Sequence, residues 1–161
     1  MKTARAWLGL PAWLLLPFAA AAVGTRFMPG AWYASLVKPA WNPPNWIFGP
    51  VWTLLYILMG VAAWLVWRRA GWRGARLALS LFVVQLVLNA LWSYLFFGIY
   101  RPDLAFVDIC ALWGMILAVT VLFSRHDRVA GALFLPYLAW VGFAAVLNFT
   151  LWRLNVGAGT P

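Results

Sequence analysis

Amide and indole side chains recur at helical spacing inside the longest apolar segments of the chain. Gln85 and Asn89 lie four residues apart, so they share one helix face, and Trp92 extends that face. Trp140 and Asn148 lie eight residues apart, on one side of a later segment. Polar groups in such segments are costly, so they either hydrogen-bond from helix to helix or line a cavity. In a cavity, the amides would orient a flat apolar ligand and the indoles would enclose it.

The groups used in conventional catalysis are scarce in this sequence. His126 is the only histidine and lies in a charged connector. Cys110 is the only cysteine and lies in an apolar segment, where a buried thiol is inert. The sequence has no Gly-rich phosphate loop and no paired metal ligands. We therefore expect no metal site and no required cofactor.

The three acidic residues invite different interpretations. Asp103 and Asp127 fall in connectors and are expected to be solvated. Asp108 falls inside an apolar segment. It is expected to be an interfacial carboxylate, paired with Arg101 or with a backbone N–H, or else part of a proton relay.

Composition places these residues in a membrane protein. Of the 161 residues, 66% are hydrophobic and only 9% are charged. A soluble domain has roughly 25% charged residues and could not bury this much apolar surface. The net charge of +9 comes from basic residues between apolar segments, where they contact lipid head groups and set orientation. This distribution argues against nucleic-acid binding.

The elements that must position the candidate residues are five apolar segments, each near the ~20 residues that cross a bilayer. They predict an all-α fold, an integral membrane bundle of five transmembrane helices in a single domain, residues 1–161. The helices are expected at about residues 6–27, 46–67, 77–98, 104–123 and 129–152. Residues 28–45 form a long proline-rich loop, and long ordered loops often act as lids.

The distribution of Lys and Arg predicts the orientation. Eight of these residues fall on the side of the N-terminus and four on the side of the long loop. The positive-inside rule then places the N-terminus in the cytoplasm of a bacterial cell. Lys2 and Arg5 before an apolar run that ends in Ala19–Ala22 also imitate a secretory signal, but a retained first helix is the preferred interpretation.

A tryptophan-rich corner joins the long loop to the second predicted helix. Pro43 and Pro44 exclude helix across the pair, and Trp41, Trp46 and Trp52 surround it. Indoles favour positions with one wet and one apolar side. This corner is therefore predicted to be a membrane anchor or a lid over a flat apolar ligand.

These motifs resemble the TspO/MBR family, the tryptophan-rich sensory proteins related to the mitochondrial translocator protein. In the loop and second helix the matching motifs are Trp32–Leu36, Lys38–Pro39, Trp41–Pro44, Trp46, Pro50, Trp52 and Tyr56. In the later helices they are Gln85, Asn89, Trp92, Phe96–Gly98, Asp108, Pro136–Trp140, Leu147–Asn148 and Trp152–Asn155. The resemblance implies five transmembrane helices, a homodimer and a ligand cavity under the first loop.

The resemblance also implies a pocket and its ligands, which in the family are porphyrins and benzodiazepine-site compounds. The pocket positions carried over are Thr25, Trp46, Trp52, Asn89, Trp92, Trp140, Ala144 and Asn148. Arg26, Lys38 and Arg101 share the loop side and could bind porphyrin propionates at the rim, or only lipid head groups. Haem would need an axial ligand that is not evident here, so metal-free porphyrin or weakly ligated haem is the better fit.

Three functions follow from the resemblance. The first is a membrane receptor or sensor that binds protoporphyrin IX-like tetrapyrroles and modulates tetrapyrrole metabolism or stress responses. The alternatives are a transporter of porphyrin or another apolar metabolite, and a light- and oxygen-dependent porphyrin-degrading enzyme with Trp46 and Trp140 as redox groups. A sterol role is not expected, because Phe149 replaces the tyrosine of the family's cholesterol motif before Arg153.

Overall fold

The computed structural model describes residues 2–157, with side chains from residue 9 onward. Within this range the chain is helical and has no strand, which confirms the predicted all-α class. The helices are α1 (Lys2–Gly24), α2 (Ala31–Ser35), α3 (Asn45–Gly74), α4 (Arg76–Ser93), α5 (Pro102–His126) and α6 (Arg128–Leu154). A π-helical turn, Tyr94–Gly98, continues α4.

Four helical stretches are long and apolar enough to cross a membrane. They are Asn45–Gly74, Arg76–Gly98, Pro102–His126 and Arg128–Leu154. The described apolar part of α1, Gly9–Gly24, is shorter. The protein is therefore an integral membrane protein in which four helices reach spanning length and α1 packs beside them.

The ends of α3 show how local sequence sets a helix boundary. The helix begins at Asn45, directly after extended Pro44, as the proline pair requires. At its other end it runs past the predicted boundary at residue 67, because Arg68 and Arg69 continue a helix well. Gly71, at φ 65° and ψ 177°, kinks the helix three residues before its end, in a conformation that essentially only glycine adopts.

Two clusters of buried side chains hold the bundle together. The larger fills the space between α1, α3, α4, α5 and α6, around residues such as Met59, Phe82 and Phe134. The smaller lies at the loop end of the bundle. It consists of Tyr33, Phe96, Ala105, Leu147 and Leu151. The loop residue Tyr33 belongs to this second cluster, so the loop is packed against the helices.

Asp127 caps α6 and ties it to α3. One carboxylate oxygen accepts hydrogen bonds from the backbone N–H groups of Val129 (2.8 Å) and Ala130 (3.2 Å). The other lies 2.7 Å from the Arg69 guanidinium. The expectation that Asp127 is solvated is wrong, because these contacts leave it only 3% exposed. Asp103 also has a partner, Arg101, but stays partly exposed.

Replacing Asp127 with alanine is expected to lower the free energy of unfolding by about 1–2 kcal/mol, the usual cost of losing a helix N-cap. Asp127→Asn keeps an oxygen for the cap and removes only the charge opposite Arg69, so it should cost less. Thermal unfolding in detergent would measure both. Equal losses in the two variants would show that the ion pair, and not the cap, stabilises this end of α6.

Candidate ligand-binding site

A buried polar network joins α3, α4 and α6 in the centre of the bundle. The Tyr56 hydroxyl donates to Asn89 Oδ1 (2.8 Å), and Asn89 Nδ2 donates to the Tyr137 hydroxyl (3.1 Å). Tyr137 in turn donates to Gln85 Oε1 (2.9 Å), and Gln85 Nε2 lies 3.8 Å from Met59 Sδ. Each polar group thus finds a partner where an unpaired one would be costly.

A second pair of side chains links α4 to α6 nearer the loop. Trp92 Nε1 donates to Asn148 Oδ1 (2.9 Å), and Asn148 Nδ2 donates to the Pro102 carbonyl oxygen (2.8 Å). Gln85, Asn89 and Asn148 therefore all hydrogen-bond from helix to helix. This was one of the two interpretations of these amides, the other being that they line a cavity. A ligand that uses either asparagine must share or replace these bonds.

Aromatic rings flank the polar groups. Trp52 stacks on Tyr56 with a centroid distance of 5.4 Å and meets Tyr137 edge-on at 6.1 Å. Trp92 stacks on Phe96 at 5.2 Å. The network therefore has the Trp52 indole against it, and the second pair contains the Trp92 indole, which are the rings that a flat apolar ligand would need.

Trp140 lies beside an apolar pocket between α3 and α6. Its ring contacts Phe48 at 5.8 Å and Phe143 at 5.6 Å. Its Nε1 is buried and has no hydrogen-bond acceptor among the described residues. The pocket has a volume of ≈ 360 Å³. Its lining residues are Val51, Leu54, Leu55, Pro136, Ala139, Trp140 and Phe143.

The structure brings most of the expected pocket residues to the interior but leaves two outside. Trp52, Asn89, Trp92, Trp140, Ala144 and Asn148 pack on or within the buried clusters. The Trp46 side chain is 74% exposed. Thr25 is also exposed, and its hydroxyl donates to the Ala22 carbonyl in the last turn of α1. Of the two tryptophans expected as redox groups, only Trp140 lies against the bundle interior.

The cations expected at the rim differ in what they contact. Lys38 Nζ donates to three backbone carbonyls in and just after α2, the nearest that of Tyr33, and lies 4.7 Å from the Tyr33 ring centroid. Arg101 makes a two-point ion pair with Asp103, at 2.8 and 2.6 Å. Arg26 is exposed and makes no ion pair among the described residues. Arg26 is therefore the cation best placed to bind an added anion.

Asp108 does not form the ion pair with Arg101 that was one of the alternatives for it. It is only 7% exposed, and its Oδ2 has no partner among the described residues. Arg101, the expected partner, is engaged by Asp103. Asp108 is thus a buried carboxyl group.

Residues of the long loop pack against the same end of the bundle. Tyr33 meets Phe96 at 6.3 Å and Phe97 at 5.5 Å. Burial raises the pKa of the Tyr33 phenol, which keeps its proton and donates to Asn42 Oδ1 at 3.3 Å. Trp41 meets Phe143 edge-on at 5.9 Å. The loop therefore covers the apolar end of the interior.

Three residues have roles that the sequence did not reveal. Tyr56 and Tyr137 lie at the centre of the polar network. Tyr56 follows Trp52 by four residues and Tyr137 precedes Trp140 by three, so helical spacing could have grouped them. Asn155 lies beyond the last predicted helix, residues 129–152, but it is 3% exposed and bonds to the loop. Residues 158–161 lie outside the described range.

Long apolar helices, a covered aromatic end and an amide–tyrosine network define a polytopic helical membrane protein with a tryptophan-lined interior. The sequence profile of the TspO/MBR family matches residues 10–153, and the chain belongs to this family. It is 45% identical over 139 residues to the protein CrtK of Rhodobacter capsulatus, covering 86% of this chain and 87% of CrtK. It is 42% identical over 137 residues to the tryptophan-rich sensory protein of Cereibacter sphaeroides, covering 85% of each chain. To the human translocator protein it is 40% identical over 156 residues, covering 94% of this chain and 92% of the human one.

Proposed function

We propose that this protein is a membrane receptor or sensor that binds porphyrins of the protoporphyrin IX type in the interior of the bundle. Benzodiazepine-site-type ligands would occupy the same place, and binding would modulate tetrapyrrole metabolism or a stress response. The observation that supports the proposal is the set of three indoles packed on the core, Trp52, Trp92 and Trp140, of which Trp92 bonds to Asn148. Stacking and apolar contact favour a flat macrocycle there.

The setting proposed for this receptor is a bacterial cell membrane. The five-helix topology includes α1 as a fifth crossing, with the N-terminus in the cytoplasm and the loop on the outer side. The protein would act as a homodimer, as expected for the family. Bacterial relatives such as the TspO protein of Chlorobaculum tepidum, 46% identical over 130 residues, support this setting.

The entry of a porphyrin would require rearrangement at two points. A macrocycle is larger than the ≈ 360 Å³ pocket, so the loop or the rings beneath it must move. Arg26 offers a free cation for a propionate on the loop side, whereas Lys38 and Arg101 would first have to give up their present partners. Binding would therefore be coupled to motion of the loop.

Titration with protoporphyrin IX in lipid nanodiscs tests the proposal. We expect saturable quenching of tryptophan fluorescence and a shifted porphyrin absorption band. The affinity should fall about tenfold in Ala144→Leu, because the larger side chain blocks an apolar contact of the ligand. A tenfold loss corresponds to about 1.4 kcal/mol of binding free energy. Trp140→Phe should also weaken binding, since it replaces the two-ring indole that lines the pocket with a smaller phenyl ring.

Each test variant has a control with the same substitution, one on α6 and one on α5. Ala132 is exposed on α6, so Ala132→Leu should leave affinity unchanged. Trp113 on α5 is exposed, its indole donates to the Leu138 carbonyl (3.1 Å), and it does not line the pocket, so Trp113→Phe should also leave the affinity unchanged. If all four variants bind porphyrin like the wild type, the signal comes from porphyrin dissolved in lipid and the proposed site is refuted.

A further inference from the structure

Asn155 makes a two-point contact with the backbone of the long loop. It follows the last residue of α6, and its Oδ1 accepts from the Val37 N–H at 2.9 Å. Its Nδ2 donates to the Val37 carbonyl at 3.0 Å and also to the Leu151 carbonyl at 2.8 Å. The two amide protons and the amide oxygen are thus all in use, in a side chain that is 3% exposed.

This contact differs in kind from the other contacts of the loop. Among the described residues, the remaining hydrogen bonds of residues 28–44 stay within the loop or lead into the first turn of α3. The loop otherwise touches the bundle through rings such as Tyr33 and Trp41, whose contacts are less directional. Asn155 therefore supplies the directional attachment of the loop to α6.

The segment that Asn155 attaches lies one aromatic ring away from the candidate site. Trp32 and Tyr33 rest on Phe96, and Phe96 stacks on Trp92. On the other side, Trp41 rests on Phe143, and Phe143 lies against Trp140 at 5.6 Å. Lifting the loop would uncover the rings that cover both indoles.

We propose that Asn155 is a positioning residue that latches the loop to the end of α6 and so sets the rate at which a ligand enters and leaves the bundle. The exchange part of this inference rests on the proposed function, whereas the latch itself does not. Asn155 bonds only to backbone atoms of residue 37, so a change of the exposed Val37 side chain should not weaken the latch.

Hydrogen–deuterium exchange in nanodiscs tests the latch without any ligand. In Asn155→Ala we expect backbone amides of residues 31–42 to exchange at least tenfold faster, with the amides of α3 to α6 unchanged. Asn155→Asp keeps the acceptor for the Val37 N–H but loses the donor, so its effect should be intermediate. Val37→Ala and Thr150→Val, whose hydroxyl bonds only to Val146 in its own helix, should match the wild type.

A second variant breaks the latch from the loop side in case Asn155→Ala disturbs the end of α6. Val37→Pro removes the N–H that Asn155 accepts. Leu36 already has φ −65° and ψ 142°, the conformation required before proline, so Val37→Pro should not strain the backbone at Leu36. It should reproduce the faster exchange of residues 31–42. Wild-type exchange in both Asn155→Ala and Val37→Pro would overturn the inference.

Stopped-flow kinetics with protoporphyrin IX tests the second part. Unlatching should raise the association and dissociation rates together, by at least fivefold, while the dissociation constant changes less than threefold. A loop that exchanges faster with unchanged porphyrin rates would overturn the role in ligand exchange. Faster loop exchange in a protein that binds no porphyrin would uphold the latch and refute the proposed function.

Discussion

Gly60→Ala is expected to lower the free energy of unfolding by about 1–3 kcal/mol, the range for overpacking a close contact. A Cβ atom at this position would lie 2.9 Å from the Cα of Leu14 and 3.1 Å from the Trp13 carbonyl oxygen. Both are backbone atoms of α1, which cannot yield unless the whole helix moves. Gly60→Val should cost more than Gly60→Ala, because its two extra methyl groups point into the same contact.

The control for Gly60 is another glycine in the middle of a helix. Gly114 on α5 is exposed, and a Cβ atom added there would have no atom of another helix within 4 Å. Gly114→Ala should therefore be neutral or stabilise the protein by up to about 1 kcal/mol, the gain in helix propensity. Thermal unfolding in detergent compares the two. Equal stability of Gly60→Ala and Gly114→Ala would show that α1 does not pack tightly on α3.

Asn89→Leu is expected to destabilise the protein by about 1–3 kcal/mol, because the Tyr56 hydroxyl then loses its acceptor in a buried place. Leucine has the same branched shape as asparagine, so the loss would reflect hydrogen bonding more than an empty cavity. Tyr56→Phe should also destabilise, since it leaves Asn89 Oδ1 without a donor.

The double variant Asn89→Leu/Tyr56→Phe separates pairing from packing. Removing both partners leaves fewer unpaired groups than removing one, so the double variant should be more stable than the sum of the two single losses predicts. Unfolding of the wild type, both single variants and the double variant by a denaturing detergent completes the cycle. Strictly additive losses would mean that Tyr56 and Asn89 do not depend on each other.

The sequence predicted the helices and part of the interior for a simple physical reason. Long apolar runs must be helical in a bilayer, and an amide in such a run must find a partner. Gln85, Asn89 and Asn148 were identified on this ground, and all three have partners in neighbouring helices. The tyrosines that pair with Gln85 and Asn89 were not predicted, because tyrosine suits an interface, a core and a polar network equally well.

Features that depend on contacts between distant segments could not be predicted. Asn155 looks like the start of a tail until Val37, 118 residues away, is placed beside it. Asp127 looks like a charged connector residue until the end of α3 brings Arg69 to it. Trp46 belongs to the tryptophan-rich corner in sequence, but the direction of the first turn of α3 leaves it exposed.

The distance along the chain between Val37 and Asn155 has a consequence for biosynthesis. At about 5–20 residues per second, the ribosome makes Asn155 roughly 6–24 s after Val37. Throughout that interval the loop has been translated but has no acceptor or donor at the end of α6 to hold it. The hydrogen-bonded attachment of the loop to α6 is therefore completed only after the last helix has been made, so the loop is the first part of the covered end to be translated and the last to be fixed.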